Sequence, residues 1–221
     1  DVCGDYPGIY GWDLGGLERN NNEKNLDGVP FKNMRQYIKD AYKRGGVITV
    51  SWHFDNPSTG GNAWDTAHGT VASILPGGAS HELFKTWLDK AAGFILSLKG
   101  ENKELIPVLF RPYHELTGTW FWWGPNNCSA EQFKILWRFT NYYLKEVKKC
   151  HNLIYVYNTG GDFKTKEEFL NAVKDFAVHT KLNADTHYLV TNDTTKMGGK
   201  MDKAVKLKTR IITYDDFLKL A

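Results

Sequence analysis

Cysteine is scarce in this sequence, and long apolar runs are absent. The 221 residues include three cysteines. None of their spacings matches a zinc site, and an odd number excludes a fully paired set of intramolecular disulfides, although one bridge stays open. No run reaches the about 18 apolar residues that a membrane-spanning helix needs. No signal peptide is evident, and the abrupt start at Asp1-Val-Cys leads us to expect a processed or trimmed N-terminus.

Strong charge and phosphate-binding motifs are also missing. The net charge of +3 is too small to indicate nucleic-acid binding by itself. No Gly-x-Gly-x-x-Gly follows a predicted strand, and the seven histidines include no i, i+4 pair. His53, Asp55 and Asn56 lie close together but lack the spacing of zinc ligands. We therefore expect neither a metal nor a cofactor.

Tryptophan is missing from the C-terminal part of the chain, where basic side chains are in excess. All eight tryptophans lie at or before Trp137, and the net positive charge lies after residue 147. This change in composition predicts a boundary near residue 150. We place the two domains at 1–151 and 152–221, with the crossover anywhere from 150 to 170.

One stretch carries most of the chemical information, and it starts with a short apolar run at 107–110. Because Arg111-Pro112 ends the ladder, the run predicts a buried parallel strand that delivers Tyr113, His114 and Glu115 into a loop. Three tryptophans follow within four residues, Trp120, Trp122 and Trp123. Indole rings stack on sugar faces, and an apolar cover favours the protonated carboxyl that a glycosidase uses as an acid. The alternative is an ordinary core strand, with a solvated glutamate and aromatic rings that only pack.

The rest of the first part alternates between strands and helices, which is typical of an α/β fold with a parallel sheet. Polar and aromatic residues gather after each strand, at Trp12-Asp13, His53 to Asn56, and His114-Glu115. In barrels and in doubly wound sheets alike, the carboxyl ends of the strands hold the chemistry. The predicted strands are 6–13, 47–51, 107–110 and 153–157, and the predicted helices are 31–44, 81–98 and 129–147, with a loop at 60–78.

The tail repeats this alternation on a smaller scale, in the order β-α-β-β-α-β-α. The 153–157 strand is shared with the first part and opens this series. The predicted helices are 165–176, 200–208 and 215–220, and the predicted strands are 177–180, 186–192 and 210–213.

Residues 1 to about 158 resemble a glycoside hydrolase family 26 β-mannanase. This resemblance implies a (β/α)8 (TIM) barrel, of which this chain is part, and retaining hydrolysis of β-1,4 bonds in β-mannan or manno-oligosaccharides outside the cell. It implies Glu115 as the acid/base with His114 as its neighbour. The implied substrate-binding residues are His53 and Trp120, which line the subsite nearest the cut, with Arg111, Tyr113, Trp123 and Asn56. The matching segments are Tyr10-Gly-Trp-Asp-Leu-Gly15, 46–57, 72–78, 106–115 and 120–124.

The chain departs from this family in one respect that matters for catalysis. The family's first strand lies ahead of the start of this chain, three more follow Tyr157, and the nucleophile is a second glutamate that we do not find. The later glutamates, Glu131, Glu146, Glu167 and Glu168, all lie in predicted helices. Asp215 and Asp216 are the only replacement candidates. If the 221 residues are the whole molecule, we expect hydrolysis to be undetectable or very slow; if they are part of a longer mannanase, we expect it to be robust.

Residues 152–221 are instead similar to a BRCT domain of the kind at the C-terminus of bacterial NAD-dependent DNA ligases. The similar segments are 159–160, 184–190, 199–204 and 211–218. This resemblance implies a cytoplasmic partner, phosphorylated DNA or peptide, bound by Thr159, Gly160 and Lys200 or Lys203. Alternatively, the unit binds nothing and only packs. An engineered fusion, or a longer mannanase with parts omitted, would each account for the combination.

Overall fold

The structure is a computed structural model that describes residues 4–161, 164–168, 188–191, 199–206, 208 and 210–213. Its first four strands form one parallel sheet in chain order. They are β1 (Ile9–Asp13), β2 (Val47–Ser51), β3 (Val108–Arg111) and β4 (Leu153–Tyr155). This confirms the four strands expected from the sequence. Their ends differ at three strands, because β1 begins at Ile9, β3 is shifted by one residue to Val108–Arg111, and β4 ends at Tyr155.

The buried apolar residues of β2 and β3 lie on one face of the sheet. Ile48 pairs with Val108 and Val50 pairs with Phe110, so these four side chains share one face. All are at most 1% exposed. Helices cover this face, whereas Thr49 and Leu109 on the other face are only partly buried, so burial alternates along both strands.

Three long helices cover the sheet, as the periodicity predicts. They are α1 (Phe31–Lys43), α3 (His81–Leu96) and α4 (Ala130–Tyr142). α1 shows the pattern most simply, because it buries Phe31, Met34, Ile38 and Ala41 along one stripe. The side chains of the sheet and these helices form one core cluster.

A fourth helix, α2 (Thr70–Ile74), lies where the sequence predicts a loop. It has five residues, which is too short to produce a helical period. Val71 and Ile74 are fully buried, so tertiary packing holds this turn.

The start of α4 follows from its sequence. Ser129 accepts a hydrogen bond from the backbone N–H of Gln132, and the Gln132 side chain accepts one from the Ser129 N–H. This capping box satisfies two N–H groups that the first helical turn leaves unpaired. At the other end the helix passes into a π-helical turn, Tyr143–Val147, so the predicted end at residue 147 is confirmed with a changed winding.

The tail is described only in pieces. A strand β5 (Tyr188–Thr191) pairs in parallel with β6 (Arg210–Thr213), and α5 (Gly199–Lys206) lies between them in the chain. The predicted helix at 165–176 begins at 166, where Thr165 and Glu168 hydrogen-bond each other's backbone N–H. The rest of that helix, the 177–180 strand and the 215–220 helix lie outside the described residues.

The domain boundary at 151/152 stays a prediction. β4 lies beyond it and pairs with β3, so the first sheet draws its fourth strand from the proposed second domain. Within the described residues, no helix has the length and apolar character to cross a bilayer. Cys128 and Cys150 are free thiols, and Cys3 lies outside the described residues.

Candidate active site

The candidate site lies where the first three strands end. Asp13, Ser51 and Arg111 are aligned by the strand register, because Asp13 pairs with Ser51 and Ser51 pairs with Arg111. The residues that follow β2 and β3 therefore meet at the same edge of the sheet. His53 and His114 come into contact there, although 61 positions separate them in the chain.

The backbone around His114 is strained. Tyr113 and Glu115 have φ angles of 53° and 55°, in the left-handed region that side chains other than glycine rarely adopt. Such strain persists only where surrounding contacts fix it, and it is concentrated at functional sites. Here Trp123 Nε1 donates to the His114 carbonyl at 2.9 Å, and the Tyr113 hydroxyl bonds the Thr140 hydroxyl at 2.6 Å.

The carboxylate of Glu115 is held by one indole. Trp120 Nε1 donates to Glu115 Oε2 at 2.8 Å, while the Trp120 residue remains 42% exposed. Gly160 backs this pair, since a Cβ there would lie 2.7 Å from the Glu115 Cβ and 3.1 Å from the Trp120 Cζ2. A glycine is therefore required at 160 for Glu115 and Trp120 to take this arrangement.

A chain of hydrogen bonds runs from Asp13 to the residue beside Glu115. Asp13 Oδ2 lies 2.8 Å from His53 Nδ1, and His53 Nε2 lies 3.0 Å from His114 Nε2. Burial alone would raise the pKa of Asp13, but the hydrogen bonds from His53 and Ser51 hold that pKa below its ordinary value. Burial, reinforced by the neighbouring His53, lowers the pKa of His114 to about 4. The His114 imidazole is therefore neutral at pH 7.

A second buried carboxylate, Glu18, holds the loop that carries His53. It accepts hydrogen bonds from Trp52 Nε1 at 3.0 Å and from the Asp55 N–H at 2.8 Å, the positions on either side of His53 and Phe54. Burial raises the pKa of Glu18, against the lowering effect of these N–H donors. Asp13 at the end of β1 and Glu18 in the loop that follows thus both hold the loop after β2.

Trp64 is a site residue that the sequence analysis missed. Trp64 is 51% exposed, and its ring stacks on the His53 ring with centroids 5.2 Å apart and an angle of 16° between the planes. Phe121 packs against both of these rings, at 5.5 Å from Trp64 and 5.3 Å from His53. The available signal was a tryptophan in the loop after β2, outside any apolar period. Trp64 thus adds a second exposed indole, besides Trp120, at this edge of the sheet.

Three predicted substrate-binding residues are buried, and this corrects their role. Trp123 and Asn56 are 0% exposed and Tyr113 is 1% exposed, so their side chains lie under the cleft and not on its wall. Trp123 holds the His114 carbonyl, and Tyr113 packs in the core. Asn56 donates to the Asp65 carbonyl and accepts from Ser58, Thr59 and Thr70, which fixes the loop that carries Trp64.

Arg111 is partly buried at the end of β3 and is one of the cations that act on His114. Its Nη2 donates to Asn158 Oδ1 at 3.3 Å, which ties the end of β3 to the segment after β4. The substrate-binding role expected for Arg111 stays a prediction.

The residues predicted to bind phosphate are not brought together by the described part of the structure. The Gly160 N–H donates to Thr117 Oγ1 at 3.0 Å, beside Glu115, so it is already paired. Thr159 is partly buried next to it. The side chains of Lys200 and Lys203 lie outside what is described, as do Asp215 and Asp216. Among the described residues, no group of three or more His, Cys, Asp or Glu could hold a metal ion.

Comparisons with known proteins agree on one family. The model of glycosyl hydrolase family 26 matches residues 1–207. A mannan endo-1,4-beta-mannosidase of Bifidobacterium adolescentis is 39% identical over 169 residues, which are 74% of this chain and 16% of that protein. One of Bacillus subtilis is 31% identical over 178 residues, 75% of this chain and 48% of that protein. The chain therefore spans less than half the length of these curated relatives.

The structural comparison gives the same result. A solved GH26 β-mannanase from Bacteroides ovatus is 37% identical with a TM-score of 0.73, covering 96% of this chain and 63% of that one. This confirms the predicted parallel α/β fold, shared with barrel enzymes of the family. The comparisons do not support the BRCT-like resemblance of the tail, and the family model extends through most of it.

Proposed function

The chain belongs to glycosyl hydrolase family 26, and from that premise we propose that it forms the acid/base side of an endo-β-1,4-mannanase cleft. Glu115 protonates the leaving glycosidic oxygen and then, as a carboxylate, activates the incoming water. The observation that carries this assignment is the placement of Glu115 at the end of β3, with Trp120 Nε1 on its carboxylate and open ring surface beside it.

The proposed substrate is β-mannan or a manno-oligosaccharide, recognised by ring stacking. A pyranose presents an apolar C–H face, and an exposed indole gains by covering it because both surfaces leave water. Trp120 and Trp64 are both large exposed aromatics at this edge of the sheet. Secretion, which follows from a polymeric substrate outside the cell, stays a prediction.

His114 is an uncharged neighbour of Glu115. Since burial keeps His114 neutral at pH 7, it places no positive charge beside Glu115. The indole N–H of Trp120 orients the carboxyl group through one hydrogen bond.

Hydrolysis needs a second carboxyl group. A retaining glycosidase places its nucleophile about 5–5.5 Å from the acid/base. Among the residues that the structure describes, we assign no such partner to Glu115. The proposal for this chain is therefore substrate binding and proton transfer by Glu115, with turnover dependent on a nucleophile that we do not locate.

Calorimetry with mannohexaose at pH 7 tests the proposal. Trp120→Ala should weaken binding by roughly 1–3 kcal/mol, because the exposed indole face no longer covers a sugar ring. Tyr6→Ala is the matched control: Tyr6 is 66% exposed but precedes β1, at the opposite end of the sheet. Equal binding by the Trp120→Ala variant, or no binding by the folded unaltered chain, would overturn the proposal.

A further inference from the structure

We propose that Asp13 is a positioning residue that sets the direction of hydrogen bonding through His53 and His114, so that both imidazoles are neutral and each donates towards Asp13. The inference deepens the proposed function and rests on it for its relevance to Glu115. Its test needs no substrate. Nothing in the family assignment or the sequence analysis gave Asp13 this role.

The contacts of Asp13 determine its own protonation state. Its Oδ1 accepts from the backbone N–H groups of Gly15 at 2.6 Å and His53 at 3.2 Å. Its Oδ2 accepts from Ser51 Oγ at 2.6 Å and faces His53 Nδ1 at 2.8 Å. Backbone N–H groups can only donate, which fixes Oδ1 as an acceptor, and the lowered pKa of Asp13 keeps the carboxylate ionised at pH 7, so Oδ2 is an acceptor as well. The proton between Asp13 and His53 therefore sits on His53 Nδ1.

The position of this proton determines which nitrogen of His114 is protonated. A neutral His53 with a proton on Nδ1 has a lone pair on Nε2. Since His114 Nε2 lies 3.0 Å away, His114 must supply the hydrogen of that bond. His114 then carries its proton on Nε2 and a lone pair on Nδ1.

The surroundings of His114 Nδ1 favour this direction over its reverse. That nitrogen is buried and has no hydrogen-bond partner among the described residues. With the direction reversed, or with a doubly protonated His53, His114 Nδ1 would carry an N–H with no acceptor. Orphaned buried donors are rarer than under-satisfied acceptors. The titratable and charged groups acting on His114 are His53, Asp13 and Arg111, and both His53 and Arg111 disfavour a positive charge on His114.

The consequence for the site is a fixed ring orientation. Because Nδ1 and Nε2 of His53 have different roles, its ring cannot flip without breaking both bonds. That ring stacks on Trp64, and its partner His114 precedes Glu115 in the strained segment. Asp13 therefore positions two parts of the cleft wall without itself facing substrate.

Long-range ¹⁵N–¹H NMR of the histidine rings at pH 7 tests the proposal on the unaltered chain. His53 should show a protonated Nδ1 and an unprotonated Nε2, and His114 the opposite pattern. A protonated His53 Nε2, or a protonated His114 Nδ1, would overturn the inference. Because this spectrum is recorded without sugar, its outcome is independent of whether mannohexaose binds.

Asp13→Asn provides a second, directional test. The amide oxygen must stay at the Oδ1 position, where two backbone N–H groups cannot change role, so the amide NH2 replaces Oδ2. It then faces His53 Nδ1, which must become an acceptor, and the pattern in both rings should reverse. Asp27→Asn changes an exposed carboxylate in the loop after β1 and should leave the spectrum unchanged. An unreversed pattern in folded Asp13→Asn would contradict the proposal; if that variant does not fold, the spectrum of the unaltered chain decides.

Discussion

Acidification should destabilise the fold through His114, by an amount that follows from its burial. The pKa of His114 falls from an ordinary 6.5 to about 4 because burial disfavours the imidazolium, and the neighbouring His53 adds to this effect. In the unfolded chain, His114 takes up a proton as the pH drops through 6.5, while in the folded chain it stays neutral until about pH 4. The unfolded state therefore binds the extra proton, and stability is lost over that window.

The size of the effect follows from linkage. With these two pKa values, the contribution of His114 to the free energy of unfolding drops by about 2 kcal/mol between pH 7 and pH 5, and by roughly 3 kcal/mol in total near pH 4. The contributions of Asp13 and Glu18 to stability depend on pH in a different way from that of His114. Asp13, whose pKa is lowered, loses its contribution only below its ordinary value of 3.8, outside this window. Glu18, whose pKa is raised, gains stability as the pH falls, which partly masks the effect in the unaltered chain.

Urea unfolding at pH 7 and pH 5 measures the effect, with a variant that isolates it. The unaltered chain should lose about 2 kcal/mol more than His114→Asn over this interval, at constant m-value. Glu18 and the other histidines are common to both proteins, so their contributions cancel. His68→Asn, a change at an exposed histidine, should behave like the unaltered chain. Equal losses for His114→Asn and the unaltered chain would refute the assignment of His114 as a buried neutral imidazole.

Two further substitutions test local features. Ser129→Ala removes the acceptor for the Gln132 N–H and should lower the free energy of unfolding in urea by about 1 kcal/mol. Ser80→Ala, at the start of α3 where no side-chain cap bond forms, should lower it much less. Equal losses would mean that the capping box does not stabilise α4. Gly160→Ala places a methyl group 2.7 Å from the Glu115 Cβ and should weaken mannohexaose binding, whereas Gly93→Ala, which meets nothing within 4 Å, should not. Unchanged binding by folded Gly160→Ala would mean that the Glu115–Trp120 pair is not part of the cleft.

The position of Glu115 after a strand was predictable because its signal is local. A short apolar run closed by Arg111-Pro112 specifies where β3 ends, and Glu115 follows within four residues. The helices were predictable for the same reason, since their apolar period repeats over several turns. α2 was not predicted because its five residues are too few to show an apolar period.

The roles of the individual aromatic residues were not predictable from the sequence. Trp120 and Trp123 lie in one run and are the same residue type, yet one is 42% exposed and the other 0%. Which of them reaches the cleft depends on how the loop folds over α4 and the core, and no pattern in four residues encodes that.

The sequence by itself determined the α/β order, the placement of Glu115 after a strand, and the family resemblance of the first part. Only the tertiary structure joined Asp13, His53 and His114, which come from three different strand ends. The physical reason is that parallel register brings strand ends together across long stretches of chain, and that burial then decides which polar groups must pair. Protonation in this site is set by those non-local contacts, because desolvation by the packed core, and not residue type, lowers the pKa of His114.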